Sequence, residues 1–374
     1  MKHNMNSKQK VFEKIIPAAN SKVAVLQNIQ HSTFPLVIYG IGGYAKSVFN
    51  FLEQYQVSKI KINAACVDRE YFNPLNDNWN GIPVYPIDEL SLNLNSFNVV
   101  IGFSDFKLAE KKLETINECK KTFFFDSTLS LDFFDYEYVK KYWKSFYDTY
   151  LLLEDELSKD TFIAYINAKI SGRSDDLYNL FDSDQYFPED IIKLNNNNEV
   201  FIDAGAYNGD TVLKFIDKAG GHYKAIYAFE PDAISYKKLS DVIKNNRLEN
   251  VFIFKKGVWK ENTVLKFYAD PYKGERSLFS ENGNIAIEVE EIDNILQENF
   301  ATFIKMDIEG SELAALQGAE QTIKHLKPKL AICMYHKPED LITIPHFLKN
   351  LVPEYKFFLR NHLHIAQELV LYAI

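Results

Sequence analysis

The sequence contains few cysteines, carries no excess of positive charge and has no long uninterrupted apolar run. Its three cysteines, Cys66, Cys119 and Cys333, are widely separated and match neither a disulfide framework nor a metal-binding motif. The net charge of −9 argues against a nucleic-acid substrate, because phosphate binding needs a basic surface. No run approaches the roughly 18 apolar residues of a membrane span, and the first residues lack the apolar core of a signal peptide. We therefore expect a reduced, cytoplasmic protein that acts on small molecules.

Residues 199–210 are the most informative stretch of the chain. An apolar run ends in Asp203, and the turn D-x-G-x-x-x-G-D leads into a helical pattern. Gly205 and Gly209 allow the backbone to turn sharply and to approach a ligand closely. A strand, a glycine-rich turn and a helix start form the small-ligand cradle of doubly wound α/β folds. A carboxylate before the glycines suits S-adenosylmethionine better than a pyrophosphate, although an ordinary tight connection is the alternative.

Two further strand ends carry charged residues. Glu230 ends the second predicted strand, where a carboxylate can accept both hydroxyls of a ribose, and Pro231 stops that strand. Lys305, Asp307 and Glu309 alternate along one face of a later strand. Charges in this pattern would be costly in a plain core, but at a sheet edge they can contact ligands. The alternatives are a solvated loop carboxylate for Glu230 and a lysine–carboxylate pair at a solvated edge.

The motifs at 203–210, 229–231, 288–293 and 305–312 together resemble those of the FkbM-type methyltransferases. The resemblance covers roughly residues 185–374, and it departs from the usual family residues at Ala204 and Tyr207. It implies a class I fold that uses S-adenosylmethionine, usually for methyl transfer to oxygen on sugars or secondary metabolites. The cofactor-binding residues that we predict are Asp203, Gly205, Tyr207, Asn208, Gly209, Glu230, Pro231, Lys305 and Asp307.

The hydrophobic pattern of the C-terminal half agrees with an α/β fold. Strands and helices alternate, which predicts a mostly parallel, Rossmann-like sheet with an antiparallel pair at its end. Predicted strands cover 200–203, 225–229, 251–255, 303–307, 330–334, 355–360 and 368–374, and predicted helices cover 211–218, 233–245 and 311–325.

The candidate catalytic residues are His336, Asp307 and Glu309. Methyl transfer needs mainly alignment, which can contribute roughly 7–11 kcal/mol, and a general base can add about 10²–10⁴-fold. An imidazole with an unperturbed pKa suits that role, although His336 could equally be a surface loop residue. His362 and His364 share a strand face, but without a clear third ligand we predict no metal site.

Candidate substrate contacts lie in two segments. Arg276 and Ser277 belong to a polar stretch, 273–279, that could cap the pocket, with Arg276 as a partner for an anionic substrate. A solvated turn is the alternative. Gln185 and Tyr186 precede the first methyltransferase strand, where aromatic packing explains Tyr186 equally well.

The N-terminal half contains a second glycine fingerprint. Gly40, Gly42 and Gly43 lie between a strand pattern and a helix pattern, and Asp68 follows the next strand. The order resembles the small Rossmann-like domain that precedes some sugar-modifying acyltransferases. Either this half binds a nucleotide or nucleotide-sugar through Gly40, Gly42, Gly43 and Asp68, or it is a degenerate module used for packing or dimerisation.

We predict a Rossmann-like domain at 1–130, a helical linker at 131–198 and an FkbM-type methyltransferase domain at 199–374. The expected function is S-adenosylmethionine-dependent O-methylation of a sugar hydroxyl in glycan or surface polysaccharide synthesis, with a glycan or nucleotide-sugar as substrate. An NAD-dependent sugar-modifying enzyme is one alternative, but the first domain lacks an obvious Tyr-x-x-x-Lys motif. A non-catalytic nucleotide-sensing or scaffold protein is another. The linker helices are a candidate homodimer surface.

Overall fold

A computed structural model describes residues 2–17, 21–54, 60–75, 77–124, 134–194, 198–269, 277–279, 285–296 and 300–374. The described chain forms two compact units. The first unit contains Met1–Lys141, Ile163–Phe181 and Leu363–Gln367, and the second contains Tyr142–Phe162, Asp182–His362 and Glu368–Ile374. The helices of the predicted linker are thus distributed between both units. Among the described helices, none combines the length and the apolar character that a membrane crossing requires.

The first unit is built on a sheet of six strands in the order β3-β4-β2-β1-β5-β6. All neighbours are parallel except β3 and β4. The central strand is apolar on both faces because Leu36 and Ile38 pack in one core cluster and Val37 and Tyr39 in another. The elements of residues 2–124 are α1 Lys2–Phe12, α2 Ser21–Gln30, β1 Leu36–Tyr39, α3 Gly43–Gln54, β2 Ile62–Val67, β3 Asn78–Trp79, β4 Ile82–Pro86, α4 Leu90–Asn93, β5 Phe97–Ile101, α5 Phe106–Leu113 and β6 Cys119–Phe123, with 3-10 turns at Arg69–Tyr71 and Ile87–Glu89.

The segment that follows is helical, as its pattern predicts. It contains α6 Tyr136–Lys141, α7 Trp143–Leu152, α8 Glu156–Ser171 and α9 Asp175–Tyr178.

The second unit is built on a sheet of seven strands in the order β16-β17-β15-β14-β7-β8-β9. The strands from β15 to β9 are parallel, and the last two strands of the chain add an antiparallel pair. This arrangement confirms the predicted class I architecture. The elements are β7 Val200–Ala204, α10 Asp210–Lys218, β8 Ala225–Phe229, α11 Ala233–Asn245, β9 Val251–Phe254, β10 Gly257–Val258, β11 Thr263–Ala269, β12 Ser277–Phe279, β13 Ile285–Glu290, α12 Ile292–Leu296, β14 Phe303–Met306, α13 Glu312–Gln317, α14 Glu320–Leu326, β15 Lys329–Cys333, α15 Asp340–Leu351, β16 Phe357–Asn361 and β17 Leu369–Ala373.

The single helix predicted at 311–325 is wrong, because the chain breaks between α13 and α14. A Cβ atom on Gly318 would lie 2.0 Å from the carbonyl oxygen of Trp259, so only glycine fits at the break. The carboxylate of Asp293 then accepts hydrogen bonds from the backbone N–H groups of Gln321 and Thr322 in the first turn of α14. A contact distant in sequence therefore ends one helix, and a remote carboxylate caps the next.

A small sheet stands apart from the seven-stranded one. Strands β10, β13, β11 and β12 pair in that order, with β11 antiparallel to both of its neighbours. Ile287 and Val289 of β13 are buried, and they pack against Trp259 and Leu265.

Candidate functional site

A cavity of about 410 Å³ opens at the carboxyl ends of β7, β8 and β14. In parallel α/β sheets this edge is where ligands bind, at the point where the strand order reverses. Six predicted cofactor residues line the cavity: Gly205, Tyr207, Glu230, Pro231, Lys305 and Asp307. Gln185, Tyr186 and Glu309 line it as well.

The turn after β7 can be made only with glycine at position 205. Gly205 has a φ of +83°, and its N–H and that of Ala206 both donate hydrogen bonds to the carbonyl oxygen of Phe229. A Cβ atom at Gly205 would lie 2.0 Å from the carbonyl oxygen of Asp307. The turn is therefore packed directly against the ends of β8 and β14, which brings all three strand ends into one wall.

Asp203 lies beneath the cavity and not in its wall. Its carboxylate is fully buried, and Oδ1 lies 3.0 Å from Nζ of Lys305. Nζ also donates a hydrogen bond of 2.7 Å to the carbonyl oxygen of Gly205 and lies 5.0 Å from the ring centroid of Tyr186. Burial alone would lower the pKa of Lys305, but Asp203 and Asp307 raise that pKa above its usual value. Asp203 therefore shapes the cavity through a charged lysine.

Glu230 is buried in the wall, with its carboxylate fixed by the backbone. Oε2 accepts a hydrogen bond of 2.8 Å from the N–H of Tyr207, and Oε1 accepts one of 2.8 Å from the N–H of Asp232. Burial raises the pKa of Glu230 to about 7, against the two backbone hydrogen bonds, which lower it. The carboxylate thus points into a site where its own solvation is poor.

Two predicted cofactor residues shape the turn without lining the cavity. Oδ1 of Asn208 accepts a hydrogen bond from the N–H of Asp210. Gly209 has a φ of +89° and immediately precedes α10, packed against Leu239 and Val242. Both residues position the helix start rather than a ligand contact.

One side of the cavity wall is apolar and was not predicted. Val258, Ile287 and Val289 come from β10 and β13 of the small sheet. Val289 belongs to the motif at 288–293, but no motif marks Val258 or Ile287 as a ligand contact, because an alternating apolar strand is equally typical of a core.

Asp307 is held by two tyrosine hydroxyls. Tyr186 donates a hydrogen bond of 2.8 Å to Oδ2, and Tyr335 donates one of 2.9 Å to Oδ1. Burial alone would raise the pKa of Asp307, but Lys305, His336 and the two hydroxyls lower it below its usual range. The carboxylate is therefore ionised at neutral pH.

Two of the residues around Asp307 were missed at the sequence level. Tyr335 and Glu368 both line the cavity, and Glu368 accepts a hydrogen bond of 2.6 Å from Nε2 of Gln185. Gln185 and Glu368 are 183 positions apart. Only the strand order, which places β17 beside β15, brings Glu368 to this edge.

Residues 203–369 match a family described as the methyltransferase FkbM domain. This part of the chain belongs to the FkbM methyltransferase domain family. It is therefore a domain of the S-adenosylmethionine-dependent methyltransferases. The chain matches no curated protein.

One solved structure shares the fold of this chain, and a second structure matches only in part. The crystal structure of methyltransferase FkbM from Methylobacillus flagellatus KT is 21% identical and covers 99% of this chain and 98% of its own, with a TM-score of 0.71. An rRNA methylase from Streptococcus thermophilus is 17% identical and covers 53% of this chain and 89% of its own, with a TM-score of 0.32.

In this FkbM domain, His336 is buried among carboxylates behind the cavity wall. Nδ1 lies 2.9 Å from Oε1 of Glu312, and Nε2 lies 3.5 Å from Oδ1 of Asp307 and 3.7 Å from Oε2 of Glu309. Burial alone would lower the pKa of His336, but Glu312 and the other two carboxylates raise it to about 9. The imidazole is therefore cationic at neutral pH, unlike the unperturbed group that the sequence predicts.

The predicted cap segment falls largely outside the described residues. Arg276 is one of the residues that the structure does not describe. Ser277 begins strand β12, which pairs with β11. Residues 277–279 are thus a strand, where the sequence predicts a loop.

The two histidines near the end of the FkbM domain make separate contacts. His362 Nδ1 lies 2.7 Å from the carbonyl oxygen of Asp182, and Nε2 lies 2.7 Å from the hydroxyl of Tyr372. His364 stacks on Tyr178 at a centroid distance of 4.2 Å.

In the first unit, the predicted ribose ligand has internal partners. Oδ1 of Asp68 accepts a hydrogen bond of 2.7 Å from the hydroxyl of Tyr39 and lies 2.8 Å from Nζ of Lys112. Gly40 has a φ of +111°, which the predicted turn requires, whereas Gly42 and Gly43 have open space where a Cβ atom would lie. The fingerprint thus forms its turn, and Asp68 ties β1 and β2 to α5.

Proposed function

We propose that the FkbM domain binds S-adenosylmethionine in this cavity, chiefly because of the position of Glu230. The Glu230 carboxylate lies at the end of β8 in the wall, with each oxygen fixed by one backbone N–H. An ionised carboxylate can accept about four hydrogen bonds, so each oxygen keeps the capacity to accept another. A pair of neighbouring ribose hydroxyls is the ligand group that best fits two such oxygens.

The rest of the wall fits the other parts of this ligand. Val258, Ile287 and Val289 provide an apolar face for a flat base. Gly205 packs the turn directly against the backbone of Asp307, which places both residues in the same wall. When bound, the ligand supplies a methyl group on a positively charged sulfur, which is already activated for transfer.

We infer that the acceptor is a hydroxyl of a sugar, in a glycan or a nucleotide-sugar used for surface polysaccharide. The support is the hydrogen-bonding character of the wall near Asp307, where Gln185, Glu309, Tyr335 and Glu368 present several acceptors and donors. A polyol can satisfy many such groups at once. Alignment by these contacts would provide the main rate contribution, of roughly 7–11 kcal/mol.

The protonation states of Asp307 and His336 indicate the role that each of them can have. Asp307 is ionised and can hold an acceptor hydroxyl, but its lowered pKa makes it a weak base. His336 is already protonated at neutral pH and lies behind the wall. We therefore assign His336 to positioning Asp307 and Glu309, and Asp307 to orienting the hydroxyl.

Calorimetric titration with S-adenosylmethionine and with S-adenosylhomocysteine tests the cofactor proposal. We expect Glu230→Gln to weaken both by about tenfold or more, since a hydrogen bond to a charged group contributes roughly 1.5–3 kcal/mol. The matched control is Glu354→Gln, because Glu354 has a 67% exposed side chain and pairs with Lys327 at the surface. No binding by the folded wild type, or equal binding by Glu230→Gln, would contradict the proposal.

The acceptor is tested with radiolabelled methyl donor and a panel of nucleotide-sugars and oligosaccharides. Label transferred to a sugar, and a mass increase of one methylene group in the product, would support it. Transfer only to amines or to protein would contradict the sugar assignment while leaving the cofactor site intact.

A further inference from the structure

We infer that Asp307, Glu309 and His336 form a binding site for a divalent first-row transition-metal cation, with Glu312 orienting the histidine. Nε2 of His336 lies 3.5 Å from Oδ1 of Asp307. Oε2 of Glu309 lies 3.7 Å from Nε2 of the same histidine. Nitrogen and carboxylate oxygen atoms at such separations can approach a common cation with small side-chain adjustments.

The histidine provides an observation independent of the acidic residues. Its side chain is only 6% exposed, and Nε2 has no hydrogen-bond partner within the part of the chain that the structure describes. Nε2 faces Asp307 at 3.5 Å and Glu309 at 3.7 Å, which is too far for a hydrogen bond. A buried polar nitrogen without a partner is costly, and a cation between these groups would remove that cost.

The opposite edge of the imidazole has the contact that is typical of metal-binding histidines. Nδ1 lies 2.9 Å from Oε1 of Glu312, and a carboxylate on the second ring nitrogen fixes the orientation of a histidine whose first nitrogen binds a metal. Glu312 is itself fixed, because Oε1 also accepts hydrogen bonds from the N–H groups of Ile308 and Gly310. The turn that carries these groups is strained, with φ of +54° at Glu309.

Charge favours a cation here as well. Three carboxylates surround one imidazole, and the nearest lysine in the wall, Lys305, is paired with Asp203. Carboxylates that share a buried site repel one another unless a cation compensates them. The protonated imidazole supplies part of that compensation, and a divalent ion that displaces the Nε2 proton supplies more.

The donor set indicates the kind of metal. Imidazole suits zinc, iron, copper and nickel, whereas carboxylates suit magnesium, calcium and manganese. One imidazole with two carboxylates therefore favours a first-row divalent ion such as Mn²⁺ over Mg²⁺.

A second cluster, Asp307 with Cys333 and Glu368, is a weaker candidate. Burial raises the pKa of the Cys333 thiol well above its usual value, so the thiol stays protonated and is a poor ligand. Oε2 of Glu368 already accepts a hydrogen bond from Nε2 of Gln185. The two clusters share only Asp307, so variants can separate them.

A cation held by Asp307 and Glu309 would border the proposed methyl-transfer cavity, because both residues line it. It could then bind an acceptor hydroxyl and lower the pKa of that hydroxyl. This consequence rests on the proposed function, whereas cation binding itself does not.

Mn²⁺ binding to the full chain, freed of metal with a chelator, tests the inference. We expect one Mn²⁺ per chain by loss of the free-ion electron paramagnetic resonance signal, and a nitrogen coupling from the imidazole in the bound spectrum. His336→Gln should abolish the nitrogen coupling, and both His336→Gln and Glu309→Gln should weaken binding roughly tenfold or more. Glu309→Gln changes a residue in the cavity wall and keeps the test valid if His336→Gln does not fold.

The control variants are Cys333→Ala and Glu368→Gln, which we expect to bind Mn²⁺ as the wild type does. Loss of binding in these two variants but not in His336→Gln would overturn the assignment in favour of the second cluster. Absence of stoichiometric binding by the wild type, with S-adenosylmethionine binding intact, would overturn the metal site alone. Loss of S-adenosylmethionine binding with intact Mn²⁺ binding would instead refute the proposed function.

Discussion

Removal of the charge on Lys305 should be among the most destabilising single changes in the second unit. Lys305→Met keeps most of the length of the side chain but leaves the Asp203 carboxylate buried without its cation, and Gly205 loses the hydrogen bond to its carbonyl oxygen. The two side chains are 2% and 0% exposed, so solvent does not screen the loss. Breaking a buried pair in this way costs about 3–5 kcal/mol in the free energy of unfolding.

Urea unfolding followed by tryptophan fluorescence measures this cost. The chain has three tryptophans, and a Trp79→Phe background leaves only Trp143 and Trp259, which both belong to the second unit. The matched control is Lys327→Met, because Lys327 pairs with Glu354 at the surface, with side chains 49% and 67% exposed. Exposed pairs of this kind contribute about 0–1 kcal/mol.

A second substitution separates the buried charge from simple loss of packing. In Lys305→Met with Asp203→Asn, neither position carries a charge, so we expect the double variant to be more stable than Lys305→Met alone. The reasoning is refuted if Lys305→Met costs less than about 1 kcal/mol, or if the added Asp203→Asn change lowers stability further.

Two other predictions concern the cavity wall. Gly205→Ala should destabilise the second unit far more than Gly220→Ala. Both glycines have a positive φ, which alone costs an alanine roughly 1–2 kcal/mol, but of the two only Gly205 has a backbone oxygen 2.0 Å from the added Cβ atom. Equal urea midpoints for the two variants would contradict the steric argument. Glu230 should make the folded state less stable as pH rises from about 4.5 to about 7, because its folded pKa is raised to about 7 from 4.5 and the native state therefore binds more protons in that window. Above pH 7 the loss in the free energy of unfolding is about 3 kcal/mol. Glu230→Gln should remove this fall in stability from urea unfolding measured across the pH range. An unchanged fall would show that other groups titrate there.

Local sequence patterns were sufficient to predict the three strand ends that form the cavity. Glu230 and Asp307 each follow a short apolar strand, and Gly205 lies in a glycine-rich turn between a strand and a helix. These features depend on neighbours within a few positions, which is why periodicity and glycine spacing predict them.

Contacts between distant positions could not be predicted in this way. The break at Gly318 depends on the carbonyl of Trp259, and the position of Glu368 depends on the pairing of the last strand with β15. The apolar wall from Val258 and Ile287 depends on a small sheet whose strands have no distinctive pattern. Each of these features requires the tertiary fold, because the sequence near each residue is compatible with an ordinary core or loop.

The charge state of His336 shows why residue type alone is a poor guide to chemistry. A histidine just past a strand suggests a base with a pKa near its usual value, and burial by itself would make that base weaker still. The three facing carboxylates reverse the sign of the shift, and two of them come from the turn after Asp307 and the helix start that follows it, at Glu309 and Glu312. The same turn therefore determines both the proton on His336 and the orientation of the groups that line the cavity. A substitution at Glu312 should consequently alter the wall through His336, even though Glu312 is fully buried behind it.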